Sequence, residues 1–143
     1  MESSYYRTFI GVPLKVSNDF LKRREELIHE LRNERISWVK PVNYHVTIRF
    51  LGDTPKGEVS SIKNALGGIT SLPTLKILQL QSIGSFGPRK RPRVIWSGFQ
   101  NPGIFAELRE MTDLALVSCG YTFNRDPLKA HLTLGRIRSL KDL

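Results

Sequence analysis

Apolar and polar positions along this chain alternate at two periods, one of two residues and one near 3.6, and each change of period marks an element. Residues 5 to 13, YYRTFIGVP, mix aromatic and β-branched side chains and stop at proline, which predicts a first strand. Over residues 18 to 34, Phe20, Leu27, Ile28 and Leu31 recur at helical spacing, with Lys22, Arg23, Arg24, Glu25 and Glu26 on the other side. His29 lies on this predicted helix among ordinary amphipathic neighbours and reads as a surface residue. Residues 36 to 40 form a short extended piece before Pro41. After Gly52, Asp53-Thr54-Pro55 predicts a turn that also starts a helix, and Val59, Ile62 and Leu66 carry that helix to Gly67-Gly68. Residues 75 to 83, LKILQLQSI, alternate as a strand with one slip of phase near Leu78. Residues 84 to 92, GSFGPRKRP, read as a loop whose Arg89, Lys90 and Arg91 either face solvent or touch a phosphate backbone. A strand follows at 93 to 99. Pro102 then opens a helix with Phe105, Leu108, Met111 and Ala115 facing inward and Gly120 as its stop.

The pattern is organised around a stretch that occurs twice, NYHVTIRFLG at residues 43 to 52 and AHLTLGRIR at 130 to 138. His45-Val46-Thr47-Ile48 and His131-Leu132-Thr133-Leu134 both alternate as strands, so each His shares a face with its Thr while the apolar residues point the other way. Strand, helix and His strand occur near residues 5 to 52 and again near 93 to 138, which reads as an internal duplication of two like lobes.

A lone His-x-Thr on a strand is a weak signal, but a pair of them is specific. A metal site would need ligands beyond the three His and one Cys, and no acid lies two to four residues from either motif His. A Cys–His or Ser–His pair would need a nucleophile at an elbow or helix start, and none is so placed. Acid–base catalysis needs only the two histidines. Imidazole ordinarily titrates near about 6.5, so one ring can take a proton from water while the other gives one to a leaving oxygen. The threonine hydroxyls, on the same faces, can donate hydrogen bonds to phosphate oxygens as charge builds in the transition state.

Composition narrows the partner. The 143 residues suit one domain, and 40% hydrophobic with 24% charged residues is ordinary for a globular protein. Twenty-two Lys and Arg against 13 Asp and Glu give a net charge of +9, which favours polyanions without separating RNA from DNA or an acidic membrane surface. A basic surface kept only for solubility is the plainer alternative. The single Cys119 excludes an internal disulfide framework and reads as a small buried filler. The start lacks the apolar run of a signal peptide and no stretch approaches membrane-spanning length, so a cytoplasmic protein is expected.

The paired HVTI and HLTL, the FLGD after the first, PRVIWSGF, and HLTLGRIR near the end resemble the 2H phosphoesterase superfamily. Within it they look like the LigT-like group, the RNA 2′,3′-cyclic phosphodiesterases long called 2′-5′ RNA ligases. The resemblance covers nearly the whole chain. It implies one domain over residues 1 to 143, of α+β class, bilobed and duplicated, with two antiparallel sheets flanking a central groove and helices outside. It implies hydrolysis of 2′,3′-cyclic phosphate ends to 2′-phosphates, with reversible 2′-5′ joining of RNA ends and no metal or other cofactor. The implied partner is RNA, tRNA fragments among the candidates, and a monomer that meets no membrane is expected. A non-catalytic RNA-binding module on the same fold is the alternative.

Carried over residue by residue, His45 and Thr47 match the first motif and His131 and Thr133 the second, with His131 as base and His45 as acid. The resemblance adds Arg136 as a phosphate contact and Phe50 as a surface for the nucleobase. Strand parity places residues five beyond each His on the opposite face, so Arg136 needs a bulge or strand end at Gly135 to turn it. Arg49, four after His45, is the cation that parity favours. The sequence departs from the family at Ala130, where proline is usual, and ends at Leu143, where relatives continue with further strand structure. A missing strand would leave an open sheet edge.

Overall fold

Tyr5–Pro13 forms the strand that its pattern predicts, β1, and Ser17 opens the helix after it by accepting a hydrogen bond from the Phe20 amide at 3.1 Å. That helix, α1, covers Asn18–Glu30, one turn shorter than expected, and the chain then leads into β2, Arg35–Trp38. The remaining elements are β3 (His45–Pro55), α2 (Val59–Gly67), β4 (Leu80–Phe86), β5 (Val94–Phe99), α3 (Gly103–Leu116) and β6 (Leu132–Ser139). The computed structural model describes residues 4–69, 80–86, 93–100 and 102–139, and of 80–86 the backbone alone. Residues 75–79 of one predicted strand and 87–92 of the predicted basic loop lie outside them. Residues 84–86, read as the start of that loop, belong instead to β4.

This is a mixed α+β architecture of three helices and two sheets among the described residues. One sheet pairs β1 with β3. Leu14 N donates to Tyr44 O at one end and Lys56 N to Ser4 O at the other, so the two strands are antiparallel. The second sheet is antiparallel throughout, in the order β2-β6-β5-β4. In each half of the chain the strand before a helix pairs with the His-bearing strand after it, β1 with β3 and β5 with β6. Among the described residues no helix is long and apolar enough to cross a membrane.

The chain divides into two compact units, and the division falls within β1 and β3. One holds Met1–Gly11, Thr47–Gln79 and Gln100–Ala130, and the other Val12–Val46, Leu80–Phe99 and His131–Leu143. The first unit is built on α2 and α3, with Ile62, Phe105, Leu108, Thr112 and Leu116 in its core. Thr112 and Leu116 take the inward places that periodicity gave to Met111 and Ala115, which are half-buried. Thr112 is buried without cost because its hydroxyl donates to Arg109 O at 2.9 Å. Cys119 is half-buried rather than buried, with Sγ 3.6 Å from Ser61 O.

Asp53-Thr54-Pro55 is the end of β3 rather than a turn, and the helical run starts just after it, with Pro55 capping a 3-10 turn at Lys56–Glu58 that leads into α2. Gly52 adopts φ +73, a conformation that disfavours other residues, and beyond it β3 continues to Pro55. Thr54 is fully buried there, its hydroxyl 2.6 Å from that of Thr8 and 3.2 Å from Gly52 O. Thr54 thus ties β3 to β1 beyond the residue where the sequence predicts the strand to stop. In the second unit the core is Tyr44, Val46, Ile95, Phe99, Leu132 and Leu134.

Candidate active site

The first motif is positioned by what precedes it. Tyr44 is 2% exposed, its ring meets Phe20 of α1 edge-on at 6.1 Å, and its carbonyl accepts from Leu14 N at 3.0 Å. Burial pushes the Tyr44 phenol above its ordinary range, with the nearby Arg24 guanidinium opposing, so the ring sits neutral in the core. Beyond this anchor Val46 and Ile48 are 0% and 3% exposed, while His45, Thr47 and Arg49 are half-buried on the opposite side of β3. The expected alternation holds. His45 Nδ1 lies 2.8 Å from Asn43 O. A carbonyl only accepts, so Nδ1 carries the hydrogen.

The second motif lies on β6, the strand flanked by β2 and β5. Leu132 and Leu134 are 0% and 2% exposed, and His131 and Thr133 are half-buried on the other face. His131 immediately precedes the strand, and the Trp96 ring of β5 meets its imidazole edge-on at 6.3 Å. His45 and His131 belong to the same compact unit. No three His, Cys, Asp or Glu side chains converge as a metal-ligand set among the described residues.

The register explains how Arg136 joins this face. Directly opposed residues of antiparallel strands project to the same side. Trp96 opposes Thr133 and Val94 opposes Arg136, with a register shift between Ile95 and Trp96. Trp96 and Val94 are two apart on β5 and share a face, whereas Thr133 and Arg136 are three apart on β6. The extra residue of β6 is a bulge beside Gly135, and it brings Arg136 to the side of Thr133 and His131. Gly135 permits it: a Cβ there would lie 3.0 Å from Ile36 Cγ2 and 3.1 Å from Trp38 Cε3. Gly135→Val is therefore expected to cost about 1 to 3 kcal/mol by overpacking. A urea denaturation midpoint unchanged from the wild type would show that this crowding does not hold the bulge.

Arg49 has a different fate. Its Nε and Nη2 donate to Asp113 Oδ1 and Oδ2 at 3.1 and 2.6 Å, and its guanidinium stacks 4.5 Å from the centre of the Phe123 ring. Further donors reach Asn124 Oδ1 and Asn124 O, both at 3.4 Å. Phe123 in turn lies parallel to Tyr121 at 5.7 Å. The cation that parity favoured is thus neutralised by α3 and grips residues 121–124, at the start of the irregular segment that leads to His131. Phe50 is 74% exposed and its ring is 6.2 Å from that of Phe9. Sequence reasoning missed the roles of Asp113 and Phe123, because no periodicity links Arg49 to residues 64 and 74 positions away.

Residues 10–96 match the family model described as LigT like Phosphoesterase. A Geobacillus stearothermophilus protein named RNA 2′,3′-cyclic phosphodiesterase is 30% identical over 95% of this chain, which spans 43% of that protein's length. A Methanothermobacter thermautotrophicus protein of the same name is 28% identical over 92% of this chain and 71% of its own length. Among solved structures, a Thermus thermophilus protein superposes with a TM-score of 0.72 at 23% identity, over 94% of this chain and 76% of its own. E. coli LigT in apo form does so with a TM-score of 0.64 at 23% identity, over 99% and 77%. Both structural likenesses speak for the fold.

Proposed function

This chain belongs to the LigT-like phosphoesterase family, and on that premise we propose that it hydrolyses the 2′,3′-cyclic phosphate of RNA ends to a 2′-phosphate. His131 takes a proton from water as the water oxygen attacks phosphorus. The bond from phosphorus to the 3′ oxygen breaks, and His45 delivers a proton to that oxygen from Nε2. Thr47 and Thr133 donate to the non-bridging oxygens, Arg136 balances their charge, and Phe50 offers its ring to the base. A 5′-hydroxyl in place of water gives a 2′-5′ linkage, and its reverse cleavage exchanges the roles of the two histidines. No metal or other cofactor enters this scheme.

The observation that carries the reading is the survival of both His-x-Thr pairs, each turned away from residues that are 0% to 3% exposed. The relatives' shared name supports the substrate, and the net charge of +9 suits a polyanion. On the same reading the chain is a single domain of two like halves, working as a cytoplasmic monomer. The test is turnover of a nucleoside 2′,3′-cyclic phosphate with a chelator present, the product identified by its phosphate position. Conversion to the 2′-phosphate is the expected result. A folded protein that binds RNA but leaves this substrate intact would point to a non-catalytic RNA-binding module.

A further inference from the structure

We infer that Arg138, held by Ser37 beside Arg136, forms a second phosphate subsite, for the internucleotide phosphate next to the reacting end of an RNA. The inference rests on the phosphodiesterase reading for the identity of that end. Ser37 of β2 opposes Arg136 of β6, which places both on the face shared by Thr133 and Trp96. Arg138 follows at a second irregularity, where Arg35 opposes Ser139 and Ile36 opposes Ile137, so Arg138 is the residue left over. Its Nε donates to Ser37 Oγ at 3.1 Å. That bond draws the guanidinium to the Ser37 side and leaves its two terminal nitrogens as donors in a fork that suits phosphate oxygens.

Charge makes the occupant an anion. Arg136 and Arg138 are both exposed, and the ion pairs among the described residues involve Arg23, Arg24 and Arg49 instead. Arg35, also exposed, lies two before Ser37 on β2 and so adds a third cation to this face. Spacing makes the anion a chain rather than a single phosphate. Residues two apart on a regular strand are on the order of 6 to 7 Å apart, and less across an irregularity such as the one at Arg138, which keeps Arg138 within one phosphate step of Arg136. With Arg136 at the reacting phosphate, Arg138 meets its neighbour. Such a contact carries no base information and serves to fix the register of the RNA.

Equilibrium binding separates this subsite from the catalytic reading, because it uses stable products and needs no turnover. The probes are uridine 2′-phosphate and the dinucleotide uridylyl-uridine 2′-phosphate. Arg138→Ala is expected to weaken the dinucleotide about three- to tenfold, to leave the mononucleotide unchanged, and to reduce the salt dependence of dinucleotide binding by about one unit of slope. Ser37→Ala, which keeps the charge but removes its tether, is expected to produce a smaller loss for the dinucleotide alone. Equal weakening of both probes, or weakening of neither, would overturn the subsite. The phosphodiesterase reading is judged separately, by turnover of the wild type.

Discussion

His45→Ala and His131→Ala are each expected to lower kcat/KM for a nucleoside 2′,3′-cyclic phosphate by about 10² to 10⁴-fold while unfolding stays cooperative. The size follows from the part proposed for each ring. In the proposed hydrolysis one proton leaves the attacking water and another reaches the departing 3′ oxygen, and without either imidazole that transfer would fall to solvent. Because the two transfers belong to one displacement, the double variant is expected to be little slower than the worse single variant. Thr47→Val and Thr133→Val remove one donor each and should cost less than the loss of a histidine. Steady-state rates of the four single variants and the double, with circular dichroism as the check on folding, decide this. A loss below about tenfold for either histidine would remove it from proton transfer.

Arg49→Met is expected to destabilise the fold by about 1.5 to 3 kcal/mol, the scale of hydrogen bonds to a charged group. Arg49 and Asp113 are 11% and 24% exposed, so the carboxylate left behind has little water to replace its partner. The stack on Phe123 and the bonds to Asn124 are lost with it. Arg49→Met combined with Asp113→Leu is expected to recover part of the loss, since removing both charges avoids an uncompensated one. Denaturant unfolding of the two single variants and the double provides the cycle. An Arg49 that served chiefly as a phosphate contact would give the opposite signature, unchanged stability and a raised KM.

These two expectations draw on different depths of the sequence. Period-two alternation was enough to place His45 with Thr47 and His131 with Thr133, because Val46, Ile48, Leu132 and Leu134 have nowhere to go but the core. Aromatic and β-branched content with a proline stop located β1 to the residue. Where a single residue changes the phase, the pattern misleads. Parity put Arg136 on the wrong face, and only the register of β5 against β6 reveals the bulge that returns it. Gly135 was the visible hint. Parity put Arg49 on the right face and was silent on its partner, since Asp113 sits on a helix whose approach is set by packing. The helix α3 itself was legible, but its buried face includes Thr112, a polar residue that periodicity of apolar side chains passes over. Beyond Gly52 the turn residues Asp53 and Pro55 outweighed the strand signal in the sequence, whereas in the fold the bond between Thr54 and Thr8 prevails.

In the proposed reaction two imidazoles from distant parts of the chain serve one phosphorus. A crystal structure with a uridine–vanadate complex, whose five-coordinate vanadium imitates the displacement, tests it most directly. Vanadate oxygens are expected within about 2.6 to 3.2 Å of Nε2 of both His45 and His131, with the Asn43 carbonyl still on His45 Nδ1. Vanadate held by one imidazole alone, or bound on another surface, would contradict it.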